Sequence, residues 1–91
     1  MSPQQIERAW RAIARLRRRI NGIRTREMVG LANSIGFYRV EGGGEPRYEK
    51  EARPFPTFIP DHSRPLSPST ARNILNFLEE ELLWEEGLGN D

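Results

Sequence analysis

The chain has 91 residues, a net charge of +1, 30% charged residues and no cysteine, with a mean hydropathy of −0.71. That length supports one core and one domain, and the missing cysteines exclude a disulfide framework and thiolate metal sites. No apolar run approaches the roughly 18 residues that would cross a membrane. The opening Met1-Ser2-Pro3-Gln4 lacks the apolar core and cleavage site of a secretory signal, so the cytoplasm is the expected location.

The small net charge conceals a division. Residues 1–26 hold eight arginines against one acid, a net of +7, and the remainder holds six bases against twelve acids, a net of −6. Such a split predicts a basic surface for a polyanion, or two surfaces that pair within or between chains. Thirteen of the fourteen bases are arginine, which suits bidentate phosphate contacts. A GC-rich genome gives the same bias without any function.

The first helix is expected over residues 3–20. Ser2 is an N-cap, Pro3 fits the first turn, and Gln5 completes a capping box. Ile6, Trp10, Ile13, Leu16 or Arg17, and Ile20 recur at helical spacing, with arginine on the other face. Asn21-Gly22 ends it, the glycine taking a left-handed cap. A second helix starts at Thr25 as cap, buries Met28, Val29, Leu31, Ala32 and Ile35, and stops at Gly36. Gly30 inside it costs roughly 1 kcal/mol against alanine and predicts a close approach by another element.

Three strands follow. Phe37–Glu41 is rich in β-formers, and Gly42-Gly43-Gly44 is a turn. Arg47–Ala52 forms a second, polar strand. Phe55–Ile59 forms a third, confined to an edge by Pro54, Pro56 and Pro60. The last helix begins with Ser67 as N-cap and Pro68 as first residue. It buries Ile74, Leu75, Leu78, Leu82 and Leu83, exposes Glu79, Glu80, Glu81, Glu85 and Glu86, and ends at Gly87. Those acids oppose the helix dipole, and the arginines of the first helix are the expected compensation. The fold class is α+β in the order α-α-β-β-β-α. A basic amphipathic helix spans 1–22, an α-β-β-β-α domain spans 23–87, and 88–91 is a frayed tail.

From Ile59 to Leu75, the residues Pro60, His62, Leu66, Thr70, Ile74 and Leu75 fall at the spacing of a known C-terminal signature: a strand ending in Pro-x-His, a loop, a leucine, a capped helix with a threonine, then Ile-Leu. Arg26–Phe37 is similar to the same family's first helix, and Phe37–Tyr48 to its first hairpin. On these residues the chain resembles the HicA family of messenger-RNA-cleaving toxins over roughly 24–83, with the helix at 3–20 as an addition. The resemblance implies a double-stranded-RNA-binding-like fold, RNA as ligand, and a HicB-like antitoxin or another protein as partner. The family's catalytic histidine follows the glycine turn in a Gly-Ser-His motif. Here Gly43-Gly44-Glu45-Pro46 puts Glu45 at that position, or Pro46 if the loop shifts.

Metal-free RNA cleavage needs a base for the 2′-hydroxyl, a stabiliser of phosphorane charge and an acid for the leaving oxygen. The candidates are Glu45 as base, His62 as acid and Arg47 as phosphate clamp. His62 is the only histidine, and a lone loop histidine more often bonds to backbone than carries protons. Arg11, Arg15, Arg18 and Arg19, with Arg47, are the candidate RNA contacts. The arginines of the first helix otherwise form a solvated face, or pair with the glutamates of the last helix. Tyr38, Tyr48, Trp10 and Trp84 are either base-stacking platforms or, more commonly at such spacings, edges of the core. No metal site and no cofactor are expected.

Two functions remain. One is a HicA-like RNA-binding protein of toxin–antitoxin type with weak or lost ribonuclease activity. The other is a non-enzymatic interaction or assembly module that keeps the fold and binds a protein, another copy of itself included, through its basic helix.

Overall fold

The computed structural model describes residues 1–42, 44–51, 53 and 55–89. Gly43 of the expected turn, Ala52 at the end of the expected second strand, Pro54 before the third, and tail residues 90–91 lie outside the described residues. The elements are α1 (Pro3–Arg18), α2 (Thr25–Ile35), β1 (Tyr38–Val40), β2 (Arg47–Glu49), β3 (Thr57–Phe58) and α3 (Pro68–Gly89). The strands form one antiparallel sheet in the order β1-β2-β3. The chain is therefore a small α+β domain.

The helix starts follow local chemistry. The Gln5 amide donates to Ser2 Oγ at 3.1 Å while the Ser2 amide donates to Gln5 Oε1 at 2.8 Å, the reciprocal box expected there. Ser67 Oγ accepts the Thr70 amide at 3.2 Å ahead of Pro68. Thr25 does not cap α2. It is the first helical residue, and its hydroxyl donates to the Pro60 carbonyl at 2.6 Å. The Glu27 carboxylate instead folds back to accept the Arg24 amide at 2.8 Å.

The helix ends differ more from expectation. α1 stops at Arg18, and its C-cap is Arg19 with φ −116°. Gly22 does not adopt positive φ, whereas Gly36 does, at 108°. An added Cβ at Gly36 would also lie 3.3 Å from the Lys50 side chain. Gly87 does not end α3, which runs on to Gly89.

The core joins all layers. Ala9, Ile13 and Leu16 of α1, Met28, Leu31, Ala32 and Ile35 of α2, Tyr48 and Ile59 at the sheet, and Ala71, Ile74, Leu75, Leu78 and Leu82 of α3 are buried together. The N-terminal helix thus lays its apolar face on the rest of the domain, most extensively on α3. The sheet is short because prolines surround β3. After Phe58 the ladder continues only through the Ile59 amide, which donates to the Pro46 carbonyl at 3.3 Å.

Two assignments on α3 are reversed. Leu83 is 57% exposed, whereas Glu81 is 2% exposed. Arg53 holds Glu81 bidentately, with Nε and Nη2 each 2.8 Å from a different carboxylate oxygen, and its guanidinium lies 4.3 Å from the Trp84 ring centroid. Lys50 Nζ sits 2.6 Å from Glu85, in a direction poor for a hydrogen bond, and 5.4 Å from the Trp84 ring. Glu81 is thus neutralised from the sheet side, and Glu85 from the sheet side and by the chain-terminal ammonium of Met1 at 3.3 Å. Among the described residues the first helix itself supplies Arg17 to Glu79, at 3.0 Å, and the Trp10 indole N–H to Glu86.

Two stability outcomes are expected. Ile13→Ala should cost about 2–5 kcal/mol, as for a buried aliphatic truncation, and urea unfolding should remain a single transition because α1 shares the core. Glu81→Ala, which leaves Arg53 unpaired, should cost about 3 kcal/mol, while an Arg53→Met/Glu81→Leu double variant should recover most of it. Both are read from urea midpoints followed by circular dichroism.

Candidate nucleic-acid interface

Three surface features carry the polar chemistry. The first is on α1. Arg8, Arg11, Arg15 and Arg18 recur at steps of three and four residues and so share one face. All four are exposed, and that face is opposite the buried Ala9, Ile13 and Leu16. Arg11 pairs with Glu7 one turn away. Arg8, Arg15 and Arg18 have no ion-pair partner among the described residues. Arg19 is different: it pairs with Glu27 at 2.7 Å and ties the end of α1 to the first turn of α2.

The second feature is a cleft of about 710 Å³ between α2 and the loop that precedes α3. Arg24, Thr25 and Arg26 line one end, Val29, Gly30 and Asn33 continue along α2, and Arg39, Tyr48, Asp61 and His62 face them. The loop is fixed by α2: Arg24 donates to the Ser63 carbonyl and Thr25 to the Pro60 carbonyl. The sheet contributes through register. Arg39 is opposite Tyr48, and Tyr48 opposite Thr57, so these three project from the same face, toward the helices. His62 is exposed, and its Nδ1 lies 2.8 Å from the Arg64 carbonyl. A carbonyl only accepts, so Nδ1 carries the proton in the neutral ring and Nε2 is left as an acceptor. The backbone bond expected of a lone loop histidine is present, and it leaves one ring nitrogen free.

The third feature lies on the other face of the sheet. Val40 is opposite Arg47, and Arg47 opposite Phe58. These residues line a smaller cleft with Glu41, Gly42 and Glu45. Arg47 Nε is held by Glu49 at 2.8 Å. Tyr38 and Phe58 are 52% and 46% exposed on this outer face, whereas Tyr48 belongs to the core.

The structure thus brings Glu45 and Arg47 together but does not join them to His62, because the two clefts share no residue. Arg11, Arg15 and Arg18 share one face, and Arg19 is engaged elsewhere. Sequence reasoning missed Arg26, Asn33, Arg39 and Asp61. Gly30, where an added Cβ would meet nothing within 4 Å, does not receive a neighbouring element as expected and lines the first cleft instead. Among the described residues no cluster of His, Asp or Glu is placed to hold a metal ion, and no helix is long and apolar enough to cross a membrane. No family model matches the chain, and no curated protein or solved structure matches it either.

Glu27, in the first turn of α2, is held below the ordinary glutamate range, first by the Arg19 hydrogen bond and then by the Arg24 amide. A lowered folded-state value stabilises the fold above the unfolded pKa of about 4.3 and loses that contribution as pH falls through the folded value. Glu27→Gln should therefore be less stable than the parent at pH 7, and thermal melts of the two should converge as pH drops below about 4.

Proposed function

We propose that the chain is a HicA-like RNA-binding protein of toxin–antitoxin type whose ribonuclease activity is weak or lost. The carrying observation is the α1 face, where Arg8, Arg15 and Arg18 stand exposed without acidic partners among the described residues while Arg17, Arg19 and Arg53 are engaged in internal pairs. Free guanidinium groups in a row suit a phosphate backbone. The element order after α1 is the α-β-β-β-α order that the family resemblance implies, which supports a double-stranded-RNA-binding-like domain. The resemblance puts Glu45, or Pro46 if the loop shifts, at the position of the family's catalytic histidine, and Glu45 and His62 line separate clefts. That separation supports reduced chemistry, since a base and an acid must reach one scissile phosphate.

Binding of a single-stranded RNA oligonucleotide, followed by fluorescence anisotropy, should weaken steeply with salt. Replacing Arg8, Arg15 and Arg18 with alanine should flatten the log–log salt slope by about 2, at roughly 0.7 per phosphate contact. An unchanged slope would remove α1 from the interface. Labelled RNA should survive incubation with the parent or be cut slowly. Vigorous cleavage that vanishes in His62→Ala would establish an active ribonuclease with a relocated site.

The second reading is a non-enzymatic module that holds a protein partner through the basic helix α1, and the outer sheet face offers it a further surface. Tyr38 and Phe58 are exposed beside Glu41, Glu45 and Glu49, an aromatic and acidic surface poorly matched to RNA. A HicB-like antitoxin or a second copy of the chain is the partner expected on that reading.

A further inference from the structure

We infer that the cleft between α2 and the loop preceding α3 is a pocket for one unpaired nucleotide of RNA. This rests on the RNA-binding reading but concerns a different surface from the arginine row of α1. The volume of about 710 Å³ falls within the range of small-ligand sites.

Its chemistry changes along its length in the way a nucleotide does. At one end Arg26 has no ion-pair or hydrogen-bond partner among the described residues, and the first turn of α2 presents amides and the positive end of its dipole. That end suits a phosphate. Arg39, across the cleft, is held only loosely, at 3.6 Å from Asp61 and 3.7 Å from Glu41, and can exchange an acid for a phosphate.

The middle is apolar and unfilled. Val29, Gly30 and Tyr48 line it, and a Cβ added at Gly30 would meet nothing within 4 Å. Glycine inside a helix is less stable than alanine, and no neighbouring element packs on it here. Open space on the cleft wall is what a planar base or a ribose would use.

The independent pointer to a ligand is Tyr48. The residue is 4% exposed and lines the cleft, yet its hydroxyl has no hydrogen-bond partner among the described residues. A buried tyrosine normally finds a partner for its hydroxyl, and a ribose or phosphate oxygen in the cleft would supply it. Asn33 offers both a donor and an acceptor to a base edge. His62 Nε2, freed by the Nδ1 bond to the Arg64 carbonyl, offers an acceptor for a 2′-hydroxyl. Bases of a duplex are turned inward, so a pocket of this depth takes an unstacked nucleotide.

The test is a titration of the ¹⁵N-labelled full chain with each of the four ribonucleoside 5′-monophosphates at millimolar concentration, with inorganic phosphate as a separate probe. Saturable shifts are expected at the amides of Thr25, Arg26, Gly30 and Asn33. They should persist in Gly30→Ala and disappear in Gly30→Phe, which projects into open space and should leave the rest of the spectrum folded. Arg26→Ala should weaken binding about tenfold, the loss of one charge-assisted hydrogen bond. Inorganic phosphate producing the same shifts at the same affinity would overturn the nucleotide assignment. So would an RNA oligonucleotide that binds with the α1-dependent salt slope yet binds Gly30→Phe as well as the parent, and in that case the RNA reading stands alone. Monophosphate binding in the cleft without oligonucleotide binding would sustain the pocket and remove the reading built on α1.

Discussion

A carboxylate removed from water must be met by a cation held in place, and Glu81 sets that demand at the centre of this fold. It lies on α3 at 2% exposure, where an unpaired charge would be strongly destabilising. Arg53 answers it with two directed hydrogen bonds, packed over Trp84. Because Arg53 follows β2, the ion pair anchors the chain on α3 just where it leaves the sheet. Lys50 repeats the arrangement one helical turn further on, against Glu85, and its stem covers Gly36 at the end of α2. The carboxyl group of Glu85 is pushed up by burial, but the Lys50 ammonium and the chain-terminal ammonium outweigh that and leave it lowered. Three elements are thereby fixed around one acidic stretch of helix. That stretch lies where the helix dipole disfavours acids, so the cations from the sheet side offset two unfavourable terms at once.

The same pairing sorts the arginines. Arg17, Arg19, Arg24 and Arg53 hold elements together. Arg8, Arg15, Arg18 and Arg26 do not, and they lie on the outward face of α1 and at the mouth of the α2 cleft. The positive excess of the first 26 residues is thus only partly consumed inside the molecule. What remains forms a surface potential of the kind that draws polyanions from solution, and this gives the RNA reading its physical content.

The helices were legible because their caps and periods are local. The error on α3 is instructive for the same reason. Counting from Ile74 and Leu78, Glu81 and Glu85 fall within the buried stripe at helical spacing, and Leu83 falls opposite it. The period carried the right answer, but residue type overrode it, since glutamate is rarely buried unless paired. The partner that permits burial, Arg53, comes from a loop contact that no local pattern encodes. The cleft was hidden for a related reason: its residues come from four separate segments, of which only His62 attracts attention as a residue type. Gly30 drew notice for its helix cost, and its place in the cleft wall became visible only once the loop carrying His62 was placed.

Strand alternation accounts for the division between the two sheet faces. With Arg39, Tyr48 and Thr57 in register on the helix side, Val40, Arg47 and Phe58 must project outward. Glu45, at the hairpin turn, lines the outer cleft with Arg47, while the loop after β3 folds back under α2 and takes His62 to the inner one. A shift of one residue in either strand would exchange the faces but would also expose Tyr48, so core burial holds the separation in place. On the proposed reading, groups that grip RNA sit on α1 and in the inner cleft, and Glu45, which the resemblance sets against the family's catalytic histidine unless the loop shifts to Pro46, lines the outer one. On that reading binding and cleavage would depend on different elements, and loss of one would not disturb the packing that supports the other.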